Sequence, residues 1–250
     1  MKQATKIKWA FAAAIAVSVC WLVGDIAVVG FEPRPGDYPL FSKDYADKVD
    51  VDMAVHMLKG STGRLMFGAL IGALTGPLLL AAMWLVRQFF AETKKWYAVL
   101  TYYILLAGAV LSPAAHAAFF YVGEIHKAIY HTDKMVHPYL IGTANGFVQM
   151  LTILWGTAIF VLAVGWLAFA VCIALRKTLL PRWFAIFTPV ALTLIIIPIK
   201  NVLPAPYSGW VGGAVFNIAY LVFFLLLLML FRKKPLALNQ KQSEKIINNA

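Results

Sequence analysis

Hydrophobic positions in this chain come in unbroken runs of about twenty residues, not in the alternation of a half-buried strand or the single stripe of a surface helix. Six runs stand out, at residues 9–31, 64–86, 97–120, 147–175, 183–203 and 210–231. A helix rising about 1.5 Å per residue crosses roughly 30 Å of hydrocarbon in that length. Short alternating segments of the barrel type are absent from the sequence. The pattern predicts an all-α fold, a polytopic membrane helical bundle with six transmembrane helices. It reads as one domain over residues 1–234, followed by a cytoplasmic tail over residues 235–250.

The longest connection, residues 32–63, opens with "FEPRPGDYPLFS", whose prolines hold it extended or turned, and continues as "KDYADKVDVDMAVHMLKGSTG". Ser42 is the expected N-cap of a short outer amphipathic helix between helices 1 and 2, with Asp44 and Asp47 in its first turns. Its spacing sets Val51, Val55 and Leu58 on one side and Asp52, His56 and Lys59 on another. Pro113, Pro189 and Pro198 interrupt the third and fifth runs, each freeing a backbone carbonyl.

Composition sharpens this picture. At 62% hydrophobic and 13% charged, with a mean hydropathy of +0.77, the chain lies outside the range of soluble globular domains. The net charge of +11 does not signal nucleic acid, because the cations form short clusters beside apolar runs instead of one basic face. They report topology. Fourteen of the 22 lie on one side: those before the first run, Arg87, Lys94, Lys95, Arg176, Lys177, Arg182, Arg232, Lys233, Lys234, Lys241 and Lys245. Positive residues remain inside, so both termini are expected in the cytoplasm. Nine of the eleven acids fall on the opposite, outer side. The first apolar run reaches Phe31, too long for a cleaved signal, and reads as a retained anchor. Cys20 and Cys172 sit within apolar runs and suggest neither a disulfide nor a thiolate metal site.

Candidate chemistry gathers in the outer half. The stretch "LSPAAHAAFFYVGEIH" carries His116 where its neighbours are still apolar. Asp25 in the first span, Lys200 and Asn201 at the end of the fifth, Asn217 in the sixth and Asn145 and Gln149 at the start of the fourth share that property, and Arg64 stands at the outer end of the second. Ionisable groups near hydrocarbon are costly unless they meet a partner or water, which makes them functional candidates. If they converge, they line an outward-facing polar pocket capped by residues 32–63. His116 would then transfer protons, Asp25 or Glu124 would orient it, and Arg64, Lys200, Asn201, Asn217, Asn145, Gln149 and His56 would bind the ligand. The structural alternative pairs Asp25 with Lys200 or Arg64 and lets the amides bridge helices.

His126, His131 and His137 read as ordinary interfacial residues. On one helix, Glu124 and His131 lie about 12 Å and 22 Å from His116, so these groups cannot chelate one metal by themselves, and no metal site is assigned. The nucleophile elbow, phosphate loop and dinucleotide fingerprint are absent from the sequence, and the cofactor is left unassigned. Gly68, Gly72 and Gly76 recur every fourth residue, a face on which another helix backbone packs closely, within the chain or in a homo-oligomer.

Three segments, "GSTGRLMFGALIG", "LSPAAHAAFFYVGEIHKAIYHTDK" and "PAPYSGWVGGAVFNIAYLVFF", resemble an uncharacterised bacterial six-span family of the domain-of-unknown-function type. The resemblance covers about residues 9 to 234. It implies the membrane layout and carries no activity, so no site residue comes from it. The residues themselves predict a membrane protein that binds a small molecule or lipid headgroup in its outer pocket. The alternatives are a lipid- or isoprenoid-modifying enzyme using His116 as acid or base, and a structural or partner-binding protein. Membrane lipids are the expected partners in each case.

Overall fold

The computed structural model describes residues 3–233, so the expected tail lies outside the described residues. Within them the chain is helical, with one isolated bridge between Phe90 and Thr178. Five helices are long and apolar enough to cross a membrane: α1 (Gln3–Val29), α3 (Thr62–Gln88), α4 (Trp96–His131), α5 (His137–Ala174) and α8 (Val215–Lys233). The shorter elements are α2 (Val51–His56), α6 (Pro189–Lys200) and α7 (Tyr207–Gly213).

The fifth predicted span, 183–203, is not one continuous helix. Arg182–Phe187 form a 3₁₀ turn, Thr188 is extended at φ −66° and ψ 151°, and Pro189 then opens a helix of only twelve residues. Proline disfavours a helical conformation in the residue before it and suits the first helical position, which explains the break. Pro113 and Pro198 end no helix; each lies inside a continuous one.

The connection after α1 also differs from expectation. Ser42 is not an N-cap: it sits in a π turn, Leu40–Asp44, and its hydroxyl donates to the Tyr38 carbonyl at 3.1 Å. Asp50 takes that role, its carboxylate accepting from the Met53 N–H at 3.0 Å, and α2 begins at Val51. Phe41, Ala54 and Val55 then bury against Ile129 of α4 and Ile141 and Ala144 of α5, fastening the connection over one end of the bundle.

α1 packs on α3, α3 on α4 and α4 on α5, while α8 closes back onto α1 and α6. A cluster of rings fills the space where α5 meets α8: Trp166 lies edge-on to Phe169, Tyr220, Phe223 and Phe224, and its indole N–H donates to the Tyr220 hydroxyl at 2.6 Å. The glycine face of α3 is occupied inside the chain. A Cβ on Gly68 would stand 2.6 Å from the Gly24 carbonyl of α1, and one on Gly76 would stand 2.4 Å from the Pro113 ring of α4. The close approach these glycines permit is therefore made by α1 and α4.

Candidate functional site

Above the aromatic cluster, where α1, α4, α5, α7 and α8 diverge, lies a cavity of about 610 Å³. Helical spacing decides what each element presents to it. α1 contributes Trp21, Asp25 and Val29, four residues apart on one face, and α4 contributes Ser112, Ala115, His116 and Phe119 on its own inward stripe. α5 supplies Leu151, Trp155 and Leu162, while α8 supplies Phe216, Asn217 and Tyr220. Glu32, Asp50, Asp52, His56 and Lys200 rim the end covered by the connection.

The polar centre joins three helices. The His116 Nδ1 stands 3.4 Å from the Asp25 carboxylate, and the Asn217 amide donates to the other carboxylate oxygen at 2.5 Å. Both side chains of the first pair are largely enclosed, His116 13% and Asp25 16% exposed, yet both line the cavity. The imidazole also lies on the Trp21 ring, centroids 4.4 Å apart. Gly72 makes room for it: a Cβ there would be 2.7 Å from the imidazole. Tyr220 lines the cavity, and its hydroxyl accepts from the Trp166 indole behind it. Ser112 is no nucleophile for His116 in this arrangement, because its hydroxyl donates to the Gly108 carbonyl at 2.8 Å.

At the rim, His56 Nε2 donates to the Val29 carbonyl at 3.1 Å. Burial lowers its pKa below the ordinary value, opposed by that hydrogen bond and by Asp52, while Lys200 acts in the same direction as burial. Glu32 accepts from the Ser208 hydroxyl, which holds α7 against the chain just beyond α1. Lys200 has no ion-pair partner among the described residues.

Of the residues expected at the site, Asp25, His116, Asn217, Lys200 and His56 meet around this cavity. The others do not line it. Glu124 does not orient His116; it accepts from Lys127 at 2.6 Å and from the Thr62 hydroxyl at 2.8 Å. Arg64 turns to the end of α1, donating to the Ile26 and Ala27 carbonyls at 2.9 and 3.1 Å with its guanidinium over the Phe31 ring. The Ala27 carbonyl is one that a helix end leaves open, while the Ile26 carbonyl also accepts from the Gly30 N–H at 3.2 Å. Asn145 donates to the Lys48 carbonyl at 2.9 Å and so ties α5 to the connection, while Gln149 and Asn201 are exposed outside the cavity lining.

Two histidines read as interfacial are instead buried. His126 Nδ1 donates to the Val122 carbonyl at 2.8 Å beside Phe41. His137 Nε2 donates to the Thr132 carbonyl at 3.1 Å, which leaves Nδ1 to accept from the Tyr45 hydroxyl at 2.8 Å. Sequence reasoning missed Trp21, Trp155 and the rim acids Glu32, Asp50 and Asp52. Trp21 had a signal, four residues before Asp25 on one helix face; Trp155 had none, being one aromatic among many in an apolar run. Among the described residues no three His, Cys, Asp or Glu side chains group to hold a metal ion.

No curated protein and no solved structure matches the chain. The sequence does match the model of a family of unknown function, DUF6796, over residues 1–234, and the chain belongs to that family.

Proposed function

We propose that this is a multi-pass protein of the bacterial inner membrane, with both termini cytoplasmic, whose cavity opens at the outer face to bind a small molecule or a lipid headgroup. One observation carries the reading: Asp25, His116 and Asn217, from three different helices, meet on a cavity wall that also includes Lys200, which has no ion-pair partner among the described residues. Polar contacts between membrane helices contribute on average only about 0.6 kcal/mol each, so bundle assembly alone gives little reason for this concentration. Trp155, Phe119 and Phe216 supply apolar walls beside it, the combination of enclosing apolar surface and a few convergent polar groups typical of ligand sites.

The test is mass spectrometry of what copurifies with the protein, wild type against Gly212→Trp. Gly212 lines the cavity, and the atoms nearest to a Cβ there belong to the flexible stem of Lys200. We expect one compound class in near-equimolar amount with wild type and its loss in the variant. A wild-type protein that carries nothing and resists every added lipid and solute would sink the reading.

The carboxylate–imidazole contact also favours a second reading, an enzyme modifying a lipid or isoprenoid with His116 as general acid or base. The two part at His116→Gln. An enzyme keeps ligand binding and loses turnover, whereas a binder shows no turnover in either form.

A further inference from the structure

A second concave surface lies at the opposite end of the bundle, on its perimeter, in the seam between α1 and α8. Lys8, Phe11, Ala12 and Ile15 form one wall, successive positions on a single helix face, and Leu228, Phe231 and Arg232 form the other. The helices run in opposite directions, and the Phe11 and Phe231 rings touch at 5.4 Å. That contact brings Lys8 and Arg232, one from each helix, to the same level. Both are exposed, and among the described residues neither has an ion-pair partner and no acid lines the groove.

Depth can be read from neighbouring aromatics. Trp9, Trp96 and Trp183, at this end of the molecule, are 66, 71 and 55% exposed. Tryptophan collects where headgroups meet hydrocarbon, and Trp9 adjoins Lys8. The two cations therefore sit at headgroup level, and Ile15 and Leu228 continue the groove into the hydrocarbon layer.

We propose that this groove binds an anionic glycerophospholipid of the adjoining leaflet, its phosphate between Lys8 and Arg232 and one acyl chain along Phe11, Ala12, Ile15 and Leu228. Two cations with no acid select a negative headgroup over a zwitterionic one, and basic clefts between membrane helices are suited to such lipids. The proposal rests on the membrane location given above and is independent of the cavity.

Native mass spectrometry of the full chain, from nanodiscs of equal parts dioleoylphosphatidylglycerol and dioleoylphosphatidylcholine, tests it. Wild type should retain phosphatidylglycerol, and the Lys8→Gln/Arg232→Gln variant should weaken that retention about thirtyfold, the loss expected for two surface cations. Ala12→Trp should expel the lipid by filling the groove with both charges intact, while the cavity variant Gly212→Trp should leave it in place. Equal retention of the two lipids, or binding that survives both groove variants, would overturn the proposal. So would a groove filled by protein, seen as a dimer that Ala12→Trp dissociates or as lipid binding that begins only when residues 235–250 are removed.

Discussion

At the scale of the residue, His116 and Gly72 depend on each other. The imidazole occupies the space a Cβ at Gly72 would take, so Gly72→Ala should cost about 1–3 kcal/mol by overpacking and should move His116 away from Asp25. Gly156 is the control. Nothing lies within 4 Å of a Cβ there, and Gly156→Ala should stabilise by about 0.5–1 kcal/mol. Thermal unfolding of the two variants in detergent checks the opposite signs. His56 yields a pH prediction. Its folded-state pKa is depressed, so the unfolded chain takes up a proton as pH falls through the ordinary value near 6.5 while the folded protein resists it. Stability should therefore be complete above that pH and decline below it. His56→Gln, which can still donate to Val29, should flatten the difference in melting temperature between pH 7.5 and 5.5 (roughly one unit either side of that value).

At the scale of the element, α5 shows how an end and a seam are held. Its C-terminus closes with a Schellman arrangement, in which Arg176 N–H donates to Ile173 and Lys177 N–H to Cys172. Arg176 adopts φ 58° there, a left-handed conformation that suits glycine. Arg176→Gly should raise unfolding stability by about 1 kcal/mol, measurable in denaturant titration, because the side chain's clash with its own backbone disappears. The seam between α5 and α8 depends on the Trp166 indole donating to Tyr220. Tyr220→Phe would leave a buried donor without an acceptor and should destabilise by about 1–3 kcal/mol, whereas a lower melting point in Gly72→Ala alone would mean that the α5–α8 seam tolerates the loss.

At the scale of the whole molecule, the short α6 decides the topology of everything after it. If residues 182–200 complete a crossing as a 3₁₀ turn followed by a short helix, then 32–63 and 201–206 share a face, as the cavity rim requires through His56 and Lys200. Single cysteines placed in a chain lacking Cys20 and Cys172 can read this. Asp47→Cys and Ala205→Cys should react with a membrane-impermeant maleimide on intact cells, and Thr93→Cys only after permeabilisation. Labelling of Asp47→Cys without Ala205→Cys would place the rim on two sides of the membrane and dismantle the proposed site.

The helical class and the five long apolar helices were legible in the amino-acid order alone, because backbone hydrogen bonding within each segment and twenty-residue apolar runs need no tertiary partner to be recognised. Polar residues at similar depth were legible too, as candidates. Which of them meet was not, since depth follows from position along a helix while encounter also depends on each helix's rotation and tilt. Asp25, His116 and Asn217 turned toward one cavity; Glu124, Arg64 and Asn145 found nearer partners in Lys127, the end of α1 and the Lys48 carbonyl. The burial of His126 and His137 likewise followed from Phe41 and Tyr45, brought from eighty or more residues away by the fold of the connection. Local chemistry determined what each segment is, and packing among segments decided which side chains share a site.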